Sequence, residues 1–115
     1  MPKRIVIIED EELCREHTAT ICEKVGHQIV AKFGSKEEAI NGIETGFQAD
    51  IAILDANLTK KDSSGKDGTE IATLLKKKYP NTIIIQYSLC TVSYGYADVI
   101  ARKPLDDRNL PEILR

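Results

Sequence analysis

The sequence is poor in the residues that would staple it or hold a metal by thiolate and imidazole. It contains three cysteines, Cys14, Cys22 and Cys90, an odd number with no CxxC spacing. That pattern fits reduced thiols in a cytosol better than a disulfide frame or a zinc site. Its two histidines, His17 and His27, stand alone and assemble no cluster. No apolar run approaches the roughly 20 residues needed to cross a bilayer. The opening "MPKRIVIIED" is too short in its apolar part, and too acidic afterwards, for a secretory signal. A cytoplasmic protein is expected, with no membrane association. Charge of one sign is lacking too: 16 Lys and Arg against 18 Asp and Glu leave a net charge of −2. Bulk electrostatics therefore suggests neither nucleic acid nor an anionic membrane as a partner. There is no internal repeat and no obvious linker, so residues 1–115 are expected to form one domain, long enough to bury a core.

What the chain does have is an alternation of short apolar runs with helix-periodic segments. "RIVII" (4–8), "QIVAKF" (28–33), "DIAIL" (50–54), "TIIIQY" (82–87) and "DVIAR" (98–102) read as strands. The first, third and fourth are nearly continuous in Ile, Val, Leu and Ala, as in strands buried on both faces of a parallel sheet. From Glu11 to Val25, Leu13, Cys14, Ile21, Cys22 and Val25 recur at helical spacing, and Gly26 is placed to end the helix. Ser35 followed by Glu38 is a capping-box pattern, opening a helix through Ala39, Ile40, Ile43 and Phe47. A third helix is expected from about Thr69 to Tyr79, stopped by Pro80. Cys14, Cys22 and His17 are expected in the core, and Lys76, Lys77 and Lys78 at a solvated helix end. The alternation implies an open α/β sheet with helices on both faces.

The fourth crossover is different. Between the fourth and fifth strands lie the ten residues "SLCTVSYGYA". A full crossover needs at least about 10–12 residues including its helix. Thr91, Val92 and Gly95 are also poor helix formers. The fourth helix is expected to be missing or very short. A short last helix fits Asn109 as a cap and Pro111 in its first turn.

The most telling feature is the bunching of Glu9, Asp10, Glu11 and Glu12 after "RIVII". Glu11 and Glu12 suit the positive end of the first helix. Glu9 and Asp10 ask for another explanation. In open α/β sheets, ligands bind beyond the carboxyl ends of the strands. Those ends deliver Glu9 and Asp10 from the first strand, Asp55 from the third, Ser88 from the fourth and Lys103, before Pro104, from the fifth. Carboxylates gathered there repel, and a hard divalent cation relieves the repulsion. Mg²⁺ suits one or two carboxylates with waters and a phosphate oxygen. A carboxylate beside it can attack a phosphoryl group, while Lys103 and Ser88 stabilise the transferring oxygens.

In this ordered set, over essentially the whole chain, the sequence resembles the response regulator receiver domain of two-component signalling. The resemblance implies a flavodoxin-like (βα)5 fold with a parallel five-stranded sheet in the order 2-1-3-4-5. It implies Asp55 as the phosphoacceptor, Glu9 and Asp10 with Asp55 as Mg²⁺ carboxylates, and Asn57 as the residue whose backbone carbonyl completes the metal shell. Ser88 would be the switch hydroxyl and Lys103 the phosphate-pairing lysine. The implied partner is a histidine kinase or a histidine phosphotransfer protein. The implied chemistry is that of a phosphoacceptor with slow self-dephosphorylation, not an enzyme.

Two features depart from the family. The loop from Asp55 to Gly68, "ANLTKKDSSGKDG" after the aspartate, is longer than usual, with Thr59 where proline is common and Lys60, Lys61 and Lys66 within it. Residues 58–67 are either a solvated, mobile insertion or a tuner of partner choice or acyl-phosphate lifetime. Ile100 occupies the position three before the lysine where an aromatic residue usually reports phosphorylation. With the short fourth crossover, this leaves an apolar flank at the fourth and fifth strands that suits a homodimer or partner contact. Two other functions are open: a degenerate receiver serving as a phosphorylation-independent binding or dimerisation module, and an aspartate-nucleophile phosphatase of the haloacid dehalogenase type. The last needs a second Asp where Asn57 stands.

Overall fold

The computed structural model describes residues 3–54, 66–88 and 98–102, with backbone alone for 66–68, 88 and 99–102. Five strands are present: β1 (Arg4–Ile8), β2 (Gln28–Phe33), β3 (Ile51–Leu54), β4 (Ile83–Ser88) and β5 (Val99–Arg102). Three helices join them among the described residues: α1 (Glu12–Val25), α2 (Lys36–Thr45) and α3 (Lys66–Lys78). All pairings are parallel, in the order β2-β1-β3-β4-β5. This is the expected flavodoxin-like order. The expected short fourth helix and the last helix fall on 89–97 and 103–115, outside the described residues; the flank expected to dimerise is that of β4 and β5, whose covering segments lie outside them too.

The continuous aliphatic strands are central because both their faces are covered. Ile5, Val6, Ile7 and Ile8 of β1 are all within 1% of complete burial. Odd-numbered Ile5, Ile7, Ile51, Ile53, Ile85 and Tyr87 pack on Ala19 and Cys22 of α1. Even-numbered Val6, Ile8, Ala52, Leu54 and Ile84 pack on Ala39 and Ile43 of α2 and on Ile71, Ala72 and Leu75 of α3. Each fully buried Ile, Val or Leu among them contributes about 1.5–3 kcal/mol when withdrawn from water. β2 lies at the sheet edge, and its pairing with β1 slips between Ile5 and Val6, whose partners are Ile29 and Ala31.

Helix ends follow the local sequence closely. Gly26 ends α1 with a left-handed φ of 100°, its N–H donating to the carbonyls of Cys22 and Glu23. Ser35 caps α2, its hydroxyl accepting from the Glu38 N–H at 3.1 Å. The return bond of the box goes one residue further back, from the Gly34 N–H to the Glu38 carboxylate at 2.7 Å.

Three expectations need correction. Helix α3 starts at Lys66, about one turn before Thr69, so the last residues of the long loop are helical. In α1, Leu13 is 78% exposed and His17 is exposed, while Cys22 is buried and Cys14 half-buried. At about 100° per residue, Leu13 sits about 180° and His17 about 140° around the helix from Cys22, so neither faces the sheet. The lysine run is not simply solvated. Lys76 donates to the Thr82 carbonyl and to the Asp98 carboxylate, each at 2.8 Å. Lys78 donates to the carbonyls of Ile43 at 2.6 Å and Glu44 at 2.8 Å, placing a cation on the negative end of α2.

Candidate functional site

The strand ends that lead in sequence to the expected site residues are set beside one another by register. Ile8 pairs with Leu54 across β1 and β3, and Leu54 pairs with Gln86 of β4. Ser88 in turn pairs with Arg102 of β5. The residues next in sequence to Ile8, Leu54 and Arg102 are Glu9, Asp55 and Lys103. The carboxyl ends of four neighbouring strands thus lie along one edge of the sheet, the edge expected to carry the chemistry.

Of the expected site residues, Glu9 and Asp10 are described in full. Glu9 is 4% exposed, continuing the burial of β1 past its last ladder residue. Its N–H donates to the Phe33 carbonyl at 3.0 Å, so the edge strand β2 holds the start of the turn. Asp10 is half-buried. Burial, and then the adjacent charge of Glu9, hold its carboxyl above the usual aspartate value. Glu11 is the N-cap of α1 but makes no side-chain cap bond, and Glu12 lies in the first turn. Ser88 closes β4, with its side chain outside the described residues; Asp55, Asn57 and Lys103 also lie outside them. Among the described residues, no three His, Cys, Asp or Glu side chains gather into a metal-ligating group.

The donor set at β1 fits Mg²⁺. Two hard carboxylates on consecutive residues, one buried and the other strained by its neighbour's charge, are stabilised by a divalent cation. Glu9 and Asp10 would hold the ion, leaving room for waters and for oxygens from elsewhere.

One participant went unnoticed in the sequence. Arg15 of α1 donates from Nη1 to the main-chain carbonyl of Glu9 at 2.9 Å, in a part-buried setting. An isolated arginine on an amphipathic helix carries no mark of such a bond, and only the close approach of α1 to the turn reveals it.

Comparison with known proteins places the fold and site in context. Residues 5–115 match the family model of the response regulator receiver domain. The transcriptional regulatory protein PdtaR of Mycobacterium tuberculosis (strain CDC 1551 / Oshkosh) is 32% identical over 89 residues, covering 76% of this chain and 41% of that protein. The chain therefore spans less than half the length of the curated relatives it matches. The response regulator protein TrrA of Thermotoga maritima, solved in complex with Mg(2+)-BeF, is similar with a TM-score of 0.79 at 26% identity, over 97% of this chain and 96% of that one. A CheY-like receiver domain protein of Methanospirillum hungatei JF-1 shares the fold with a TM-score of 0.79 at 24% identity, over 99% and 91% of the two chains.

Proposed function

The chain belongs to the response regulator receiver domain family, and we propose that it takes a phosphoryl group from a phosphohistidine onto Asp55 with Mg²⁺ present. The observation that carries this reading is the acid pair at the end of β1, level with the end of β3 through the Ile8–Leu54 pairing. An acidic pair level with the strand end that leads in sequence to Asp55 suits an acyl-phosphate site. Support for Mg²⁺ comes from the donor set and from the Mg(2+)-BeF complex of the Thermotoga maritima regulator.

Bound Mg²⁺ supplies charge neutralisation between the acid pair and the incoming phosphoryl group. The remaining steps belong to the chain. An Asp55 carboxylate oxygen forms a new O–P bond as the N–P bond of the donor phosphohistidine breaks, and the leaving imidazole takes up a proton. Lys103 pairs with the phosphoryl oxygens and Ser88 donates a hydrogen bond to them, while Glu9, Asp10, Asp55 and the Asn57 carbonyl would hold the Mg²⁺. The acyl phosphate is later lost to water, slowly, and no other turnover is proposed. The donor is a histidine kinase or histidine phosphotransfer protein, met in the cytoplasm. Output is through protein–protein contacts altered by the phosphoryl group.

The test is incubation with Mg²⁺ and a small phosphodonor such as acetyl phosphate, followed by intact-mass measurement. One added phosphoryl group is expected in the wild type, none in Asp55→Ala, and none after chelation of Mg²⁺. A wild-type chain that stays unmodified while remaining folded would favour the alternative, a receiver that keeps the fold only as a binding module.

A further inference from the structure

The carbonyl that Arg15 engages belongs to the peptide joining Glu9 to Asp10, the two candidate metal carboxylates. That peptide accepts from the α1 guanidinium. The preceding peptide is held by the Glu9 N–H bond to the Phe33 carbonyl of β2. The turn between sheet and helix is therefore pinned at both ends of Glu9.

The seat of the guanidinium depends on Gly34. A Cβ built on Gly34 would lie 2.7 Å from Arg15 Nη1 and 3.4 Å from Arg15 Cζ. Gly34 is not among the glycines with positive φ, which are Gly26 and Gly46, so its backbone would accept alanine. What a methyl group there would disturb is the far end of Arg15. Glycine at 34 and arginine at 15 thus form one arrangement, drawn from the bend after β2 and from the first turns of α1.

We propose that Arg15 is a positioning residue for Mg²⁺ capture, holding the Glu9–Asp10 peptide so that both carboxylates serve one cation. This rests on the reading of Glu9 and Asp10 as the metal carboxylates. Two effects of opposite sign separate positioning from charge alone. A guanidinium near a cation site repels the cation, so removing a bare charge tightens Mg²⁺ binding. Removing a group that fixes the ligands loosens it, by about 10–100-fold for outer-shell partners of metal ligands. The hydrogen bond comes from a charged donor and is of the stronger kind, so positioning prevails.

The experiment is a Mg²⁺ titration of the whole chain, read from the backbone amide resonances of Glu9 and Asp10, with circular dichroism and thermal melts on every variant. The wild type binds, and Asp10→Asn loses binding. Arg15→Ala weakens it by about tenfold or more. Arg15→Gln, which keeps an N–H donor without the charge, recovers part of that loss. Gly34→Ala keeps the arginine but fills its seat, and weakens binding in the same direction; it decides the matter if Arg15→Ala does not fold. Unchanged or tighter binding in Arg15→Ala and Gly34→Ala, with Asp10→Asn still defective, overturns the positioning role and leaves the acid-pair reading standing. A wild type without a Mg²⁺ response, or an Asp10→Asn variant with an undiminished one, overturns both.

Discussion

Leu54 stands in register with Ile8 across the β1–β3 ladder, and both are fully buried against α2 and α3. The two strand ends that lead in sequence to Asp55 and to Glu9 are thereby held level by the parallel ladder and by the hydrophobic packing beneath it. Leu54→Ala leaves a cavity beneath that edge. A loss of about 2–5 kcal/mol in urea unfolding is expected. The rate of phosphorylation by a small donor should fall as well, measured well below the denaturation midpoint.

Tyr79 ties the start of the β4 approach to the end of α2. Its hydroxyl donates to the Ile43 carbonyl at 3.2 Å and accepts from the Phe47 N–H at 3.1 Å. Its ring meets Phe47 edge-on at 5.2 Å between centroids. Tyr79→Phe keeps the ring contact and removes both hydrogen bonds, so a destabilisation of about 1–2 kcal/mol is expected from equilibrium unfolding.

Asp98 precedes β5 and locks it to β4. Its carboxylate accepts from Lys76 and from the Ile84 N–H, each at 2.8 Å. The Lys76 bond first, and the Ile84 bond second, hold its carboxyl below the ordinary value of 3.8. A depressed folded-state value means stability that is present above pH 3.8 and is lost as pH falls through the folded-state value. Because the pair is partly solvated, less than about 1 kcal/mol is expected from the charge. Asp98→Asn should melt earlier than wild type at pH 7, and the gap should close in acid.

Cys22 lies at the centre of the α1 face of the sheet, and burial pushes its thiol up to about 12. At pH 8 almost none of it is thiolate, the reactive form. Mass mapping after a short treatment with iodoacetamide should find Cys22 unmodified in the folded protein and alkylated in urea. Half-buried Cys14 should react ahead of it.

The sheet was legible because its signals are local and redundant. "RIVII" and "TIIIQY" read as strands from their aliphatic runs alone, and the strand bounds agree with the expected ones to within a residue. Ser35 and Gly26 marked helix ends by chemistry that acts within a few residues. What escaped were relationships set by rotation and by distant packing. Leu13 looked like a core residue because its spacing was counted without its angle to Cys22. The first turn of α3, Lys66–Asp67–Gly68, is polar and contains glycine, so it resembled the loop it ends. Lys76 and Lys78 found carbonyl and carboxylate partners that come from other elements. Arg15 is of the same kind, since its partner is a backbone oxygen that no pattern of side chains announces. For the proposed site, acidic residues crowding the end of a buried strand single out Glu9 and Asp10, and the structure shows Glu9 buried and Asp10 half-buried there.

The most direct measurement is to identify which side chain carries the phosphoryl group. The chain is phosphorylated with acetyl phosphate and Mg²⁺, then reduced with borohydride, which turns an aspartyl phosphate into homoserine, and its peptides are sequenced by mass spectrometry. Homoserine at position 55, absent when Mg²⁺ is chelated and sharply reduced in Asp10→Asn, is the expected result. Homoserine at another aspartate, or full conversion at 55 without any divalent cation, would contradict a magnesium-dependent acceptor at the end of β3.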